Sequence, residues 1–265
     1  MTPVTIITGA SAGIGAELAR VFARNGHALV LVARRKDRLA ALAAEIAAGG
    51  KSEPLVLAID LSLRDAAAQI ADALAARDLE PQYVVNNAGF GLIGPAAGLD
   101  RAEQGNMIDL NIRTLTDLSL AFIDSIARRR GGVLKVASVA GFLPGPGMAV
   151  YYASKAYVLS FSEALHRELA PRGVRVTCLC PGPVETEFSS RAGVIEGKAP
   201  ALLTVSAARV AKAGYRGLMR GQRIVVPGLV NKIVAFLPRI VPRRLLLAVL
   251  AKRQKRRASS PAPRT

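Results

Sequence analysis

Short apolar runs alternate with longer segments of helical period along most of this chain. The runs predict strands at residues 4–8, 28–32, 55–59, 83–85, 133–136, 174–179 and 224–226; each is dominated by valine, isoleucine or leucine and is too short to be read as a helix. Between most of them apolar positions recur every three or four residues, which predicts helices at 13–25, 36–48, 63–77, 101–128, 151–169 and 205–217. Helices interposed between strands imply right-handed crossovers, and crossovers of one hand build a parallel sheet with helices on both faces. The expected architecture is α/β: a doubly wound, mostly parallel seven-stranded sheet. Neither a repeat nor a linker divides residues 1–227, which read as one domain. Residues 228–257 form an apolar and basic extension, and residues 258–265, small, polar or proline, are expected to be disordered.

Composition narrows the class. A chain of 265 residues that is 51% hydrophobic, with a mean hydropathy of +0.30, can fill a sizeable core, so disorder is excluded as the default. Cys178 and Cys180 lie two apart in a predicted strand and share its face as core thiols; no metal spacing or disulfide framework accompanies them. Met1 leads straight into the first strand without a secretory signal, and the expected location is the reducing cytoplasm. Net charge is +17, but all 19 acidic residues lie between Glu17 and Glu196 beside 20 of the 36 Lys and Arg, and the other 16 cations follow Glu196. The body is nearly neutral; the tail carries the charge.

Two features carry chemistry. Gly9, Gly13 and Gly15 fall between the first strand and the first helix, where missing side chains permit a tight turn and let backbone amides approach a pyrophosphate. Tyr151 stands four residues before Lys155 in a predicted helix, so the two share a face. A neighbouring cation favours the phenolate, and Lys155 is expected to lower the pKa of Tyr151 and make it a proton donor or acceptor near neutrality. Tyr152 lies three residues before the same lysine, and periodicity alone does not choose between the tyrosines.

Thr8-Gly9-Ala10-Ser11-Ala12-Gly13-Ile14-Gly15, Asn86-Asn87-Ala88-Gly89, Ser138, Tyr151-Tyr152-Ala153-Ser154-Lys155 and Pro181-Gly182-Pro183-Val184-Glu185-Thr186 occur in this order and together resemble the short-chain dehydrogenase/reductase family. The resemblance covers roughly residues 1–227 and selects Tyr151 over Tyr152. It implies a Rossmann-type fold and an NAD(P)-dependent oxidoreductase. It also implies that Ser11 and Ile14 line the pyrophosphate, that Asp60 and Leu61 flank the adenine, and that Asn87, Ala88 and Gly89 bound the adenosine side. Pro181, Gly182, Val184 and Thr186 would hold the nicotinamide, and Tyr151 would exchange the proton. Lys155 would also bond the nicotinamide ribose, Ser138 would bond the substrate oxygen, and Asn111 would support a water-linked proton path behind the lysine. The pairing of such proteins through their long helices leads to the expectation of a homo-oligomer.

Cofactor choice rests on the end of the second strand. A carboxylate there would serve the ribose 2′-hydroxyl of NAD, whereas the 2′-phosphate of NADP needs a cation. Ala33 occupies the acid's place and Arg34 follows, which favours NADP. The alternative, a solvated helix start made of Arg34, Arg35, Lys36 and Arg38, sets cations against the helix dipole. His27 and His166 have no evident partners and read as structural or surface residues.

The segment after Thr186 tends apolar, with Phe188, Val194, Ile195 and Leu202–Leu203, and Phe90, Leu92, Ile93, Phe142, Leu143 and Met148 occupy loops that can reach the same mouth. They point to an apolar, lipid-derived carbonyl or alcohol. The tail is cut by prolines and cations and is not a transmembrane helix. Three readings of it stay open: an anionic membrane surface, docking onto the protein's own body or a second subunit, and steering of an acyl carrier or acyl-CoA. Nucleic acid is disfavoured, since residues 252–257 interleave no aromatic. The competing function is an NADP-responsive, non-catalytic scaffold.

Overall fold

The computed structural model of the protein describes residues 1–185 and 201–258. Strands β1 (Thr2–Thr8), β2 (Leu29–Ala33), β3 (Leu55–Ala58), β4 (Leu79–Asn86), β5 (Gly132–Val136), β6 (Arg175–Leu179) and β7 (Ile224–Val225) form one seven-stranded sheet in the order β3-β2-β1-β4-β5-β6-β7. Every neighbouring pair is parallel. The chain winds outward from β1 in one direction and from β4 in the other. Their carboxyl ends diverge there, and that opens the crevice in which such sheets bind ligands.

Strand alternation builds two cores. Val4 and Ile6 face Ile70 and Leu74 of α3 (Ala66–Ala75) and Leu118 of α5 (Leu115–Ala121), whereas Ile7 faces Leu18 and Phe22 of α1 (Gly13–Arg24). The first core also holds Ile126 of α6 (Ile123–Arg128) and Leu165 of α7 (Ala149–Leu169); the second holds Leu39 of α2 (Lys36–Ala48) and Leu218 of α8 (Ala207–Met219). Burying each such side chain contributes about 1.5–3 kcal/mol. Cys178 and Cys180 share a face of the sheet, fully buried, with their sulfurs 3.6 Å apart.

The single helix expected at 101–128 is broken. It runs as α4 (Arg101–Ile108), a wider π turn at Asp109–Thr114, then α5 and α6. The cause lies in two inward polar side chains. Asn111 turns to the Phe90 backbone, and Thr114 donates to the Leu61 carbonyl at 2.6 Å, so the wider turn brings both into the interior together. A second break follows at Phe122, whose φ of −115° leaves the helical range. Helix α3 starts later than predicted, because the Asp60 carboxylate accepts from Ser62 N at 3.0 Å and Ser62 Oγ at 2.8 Å and holds those residues in a turn.

Beyond β7 the chain does not leave the body. Helix α9 (Leu229–Phe236) packs on the turns at Val139–Phe142 and Ala201–Leu203, and α10 (Arg243–Ala258) follows it. Among the described residues no helix is long and apolar enough to cross a membrane. The expected disordered end lies, beyond Ala258, outside the described residues.

Candidate active site

A cleft of about 1230 Å³ opens where β1 and β4 diverge. Its floor is the glycine turn. Gly9 and Gly13 adopt φ of +64° and +56°, which side chains disfavour. A Cβ on Gly15 would lie 2.2 Å from the Gly9 carbonyl oxygen, so the helix can approach the turn only without one. Asn87 Nδ2 donates to the carbonyls of Thr8 (2.9 Å) and Gly9 (3.2 Å), while Thr8 Oγ1 accepts from the amides of Asn87 (2.9 Å) and Ala88 (3.1 Å). Helix α1 begins with no side-chain cap and no acid in its first turn. Its free amides suit an anion. Gly9, Ser11, Gly13 and Ile14 line the cleft; Gly15 stands behind the turn against Asn87.

At the far end lie Arg34, Asp60 and Leu61, with Ala88 beside the glycine turn. Gly89, expected on the adenosine side, stands instead at the Lys155 end: a Cβ on it would lie 3.5 Å from Lys155 Nζ and 2.8 Å from Asn111 Oδ1. Arg34 pairs with Asp60 at 3.9 Å, both half exposed. Arg35 is the residue that sequence reasoning missed: its Nε and Nη2 lie 3.3 and 3.1 Å from Ser11 Oγ, which links the end of the second strand to the glycine turn. Its place next to Arg34 was the available signal, but the sequence reading gave the cofactor role to Arg34 alone.

Tyr151, Ser138 and Lys155 meet at the opposite end. Ser138 is hydrogen-bonded to the Tyr151 phenol, and its hydroxyl accepts from Ala140 N at 3.1 Å. Lys155 Nζ donates to the Val136 carbonyl at 3.0 Å and lies 5.8 Å from the centre of the Tyr151 ring. Tyr152 also lines the cleft, with Gly145 packed so flat on its ring that a Cβ there would come within 2.2 Å. Asn111 is fully buried one layer behind. Its Oδ1 accepts from Phe90 N at 3.1 Å, and its Nδ2 donates to Phe90 O at 2.9 Å and Ser154 Oγ at 3.1 Å.

The expectation that Lys155 lowers the pKa of Tyr151 is corrected. Burial, only partly offset by the bond to Ser138, pushes the phenol up to about 12. Burial likewise brings Lys155 down to about 8. Removing water from the phenolate outweighs the attraction of an ammonium that is itself desolvated and committed to a carbonyl.

Pro181, Gly182 and Val184 line the same end; Thr186, with Phe188 and the apolar residues to Pro200, lies outside the described residues. Phe90, Leu143 and Met148 reach the wall, as do Leu203, Asn231, Val234 and Leu250, whereas Leu92, Ile93 and Phe142 do not. The last three of the wall residues come from α9 and α10, which no motif announced. His27 sits among Phe22, Tyr83 and Tyr215, with its pKa lowered by burial and then by Arg175, and His166 Nδ1 lies 2.8 Å from the Val176 carbonyl. Neither reaches the cleft.

The fold and the cleft define a dinucleotide-binding oxidoreductase: an uncapped helix start behind a glycine turn at the sheet's switch point, two arginines at the end of β2, and a phenol with a hydroxyl and an amine at the other end. The family model for short chain dehydrogenases matches residues 3–194. Sulfoacetaldehyde reductase 2 of Chromohalobacter salexigens is 38% identical over 192 residues, 71% of this chain and 75% of that protein. Serine 3-dehydrogenase of Agrobacterium fabrum is 34% identical over 190 residues, 71% of this chain and 75% of that one. A short-chain dehydrogenase from Sphingobium yanoikuyae, solved with NADPH, superposes with a TM-score of 0.79 at 32% identity over 99% of this chain and 98% of its own. The bulky-bulky ketone specific alcohol dehydrogenase of Comamonas testosteroni gives 0.75 at 28% identity over 100% and 97%. The chain belongs to the short-chain dehydrogenase/reductase family and is an NAD(P)-dependent oxidoreductase. The last two alignments extend through the tail, where the family model has already ended.

Proposed function

We propose that the protein uses NADPH to reduce an apolar, lipid-derived carbonyl to its alcohol, with Tyr151 as general acid. One observation carries this reading: Tyr151, Ser138 and Lys155 share a cleft with Arg34 and Arg35, and no carboxylate stands in the place of Ala33. When bound, the reduced nicotinamide supplies a hydride. Burial keeps the phenol protonated at neutral pH, so Tyr151 is present in the form that can give a proton to the carbonyl oxygen. Ser138 donates to the same oxygen and stabilises the charge developing there. Lys155 holds the nicotinamide ribose and keeps a positive charge beside the phenol. Asn111 pins the Phe90 loop and, through Ser154, the turn that carries Tyr151, and supports a water-linked proton path behind Lys155. Arg34 and Arg35 hold the 2′-phosphate.

Relatives matched over 71% of the chain are named for small polar compounds, sulfoacetaldehyde and serine, while the alcohol dehydrogenase aligned with the whole chain is named for bulky ketones. The wall of Phe90, Leu143, Met148, Leu203 and Val234 sides with the latter. The test is a panel of apolar ketones and aldehydes followed at the NADPH absorbance, with Tyr151→Phe as control. NADPH binding without turnover on any member, together with a biological effect that survives Tyr151→Phe, would support the scaffold reading instead.

The tail fits an anionic membrane surface. Leu229, Ile233, Phe236 and Ile240 follow one another along one face, and with Leu245 and Val249 of α10 they are 53–74% exposed. Exposed Lys232, Arg239, Arg243 and Arg244 surround them, and no acid follows Glu196. A second copy of this face would repel it, whereas anionic lipid contributes about 1 kcal/mol per cation. The protein is thus read as cytoplasmic and peripheral on the inner membrane surface. Its homo-oligomer is assigned to a different face, where Ile108, Leu120 and Tyr157 are exposed on α4, α5 and α7.

A further inference from the structure

The nicotinamide turn is held from an unexpected direction. Asn231 of α9 is 1% exposed, and its Nδ2 donates to the carbonyl of Pro227 at 2.9 Å, just before the helix, and to that of Leu203 at 3.0 Å, which ties α9 to the Ala201–Leu203 turn. Its Oδ1 is buried and finds no donor among the described residues. The amide lies flat on Gly182: a Cβ there would come within 2.3 Å of Oδ1 and 2.5 Å of Cγ. The hydrogen of Gly182 therefore points at that oxygen, a weak contact that only glycine permits. Gly182 follows Pro181, whose carbonyl accepts from Val139 N at 2.9 Å and lies 3.4 Å from Ser138 Oγ.

We infer that Asn231 is a positioning residue for the nicotinamide end of the cleft, acting through Gly182 and Pro181 on Ser138. A buried acceptor left without a strong donor is unfavourable for folding and is retained where its placement matters. Here the placement makes α9 the outer brace of the Pro181–Val184 turn, so Asn231 acts on the reactive end of the cleft. The inference rests on the proposed NADP site, and the experiment separates the two.

Purified full-length protein and Asn231→Ala are titrated with NADPH and, separately, with 2′-phospho-ADP, which occupies only the adenosine end. The expected result is an NADPH Kd weakened about tenfold, with 2′-phospho-ADP within about twofold of wild type. Gly182→Ala, which presses a methyl onto the same amide, reproduces the split and serves if Asn231→Ala folds poorly. Equal weakening of both ligands, or no weakening of either, in the folded variant overturns the inference. Failure of the wild-type protein to bind either ligand overturns the underlying NADP reading instead.

Discussion

Lys155 reaches back to the Val136 carbonyl at 3.0 Å, two residues before Ser138, and in doing so fixes α7 to the end of β5. One contact thereby sets the spacing of the amine, the phenol and the serine. Its charge is the fragile part, because burial brings the ammonium down to about 8 while the phenol stays protonated to about 12. Reduction should be flat from pH 6 to about 7 and fall as pH rises through about 8, when Lys155 loses its proton. Steady-state kcat/KM across pH 6–10 checks this, and Lys155→Met should lose on the order of 10²-fold or more at pH 7. A falling limb that persists unchanged in the residual activity of Lys155→Met would assign it to another group.

Lys135 is fully buried in β5, its Nζ 4.3 Å from the centre of the Phe161 ring and without an acceptor among the described residues. Burial brings its pKa down to about 7 from 10.5. The folded state therefore binds fewer protons than the unfolded chain between these values, and stability rises with pH across that window. The penalty is fully present below about pH 7 and is on the order of 5 kcal/mol. Lys135→Met should raise the Tm by several degrees at pH 6.5 and by progressively less toward pH 9.5. A difference that does not shrink with pH would mean that packing, not charge, governs the site.

The cofactor end makes a selective prediction. Arg34→Ala and Arg35→Ala should each weaken NADPH about 10-fold or more and NADH by less than about threefold, as expected for losing a charge-assisted bond to a phosphate. Ala33→Asp should shift preference toward NADH. Fluorescence titration with both nucleotides at two salt concentrations reads the effect, and equal losses for the two would remove the case for a 2′-phosphate site.

On the exposed face of the tail, Ile233→Asp with Phe236→Asp should abolish sedimentation with phosphatidylglycerol vesicles while NADPH binding persists. Wild-type sedimentation should fall with added salt and be weak on phosphatidylcholine alone. Equal sedimentation of the double variant excludes the membrane surface, and co-migration with an acyl carrier in its place would identify that partner.

Periodicity made the strands and most helices readable, because a buried parallel strand must be apolar on both faces whatever its neighbours are. Ile7 belongs to the core on that ground alone, and Phe22 through the helical period of α1. The break around Asn111 was not readable. A polar residue on a helix looks solvated until the Phe90 backbone it serves is brought beside it from another strand's end. Arg35 was hidden for a similar reason, since its partner Ser11 lies in a different turn.

The chain's order of residues determined by itself the doubly wound sheet, the glycine turn after β1 and the placing of a tyrosine, Tyr151 or Tyr152, on the same helix face as Lys155. All of these depend on local spacing and backbone sterics, which act within a few residues. Only the tertiary structure decided that the tail returns to the cleft, that Asn231 lies against Gly182, and that the phenol's acidity is governed by burial more than by its neighbouring amine. Desolvation depends on every element packed around a group, and no short stretch of sequence contains that information.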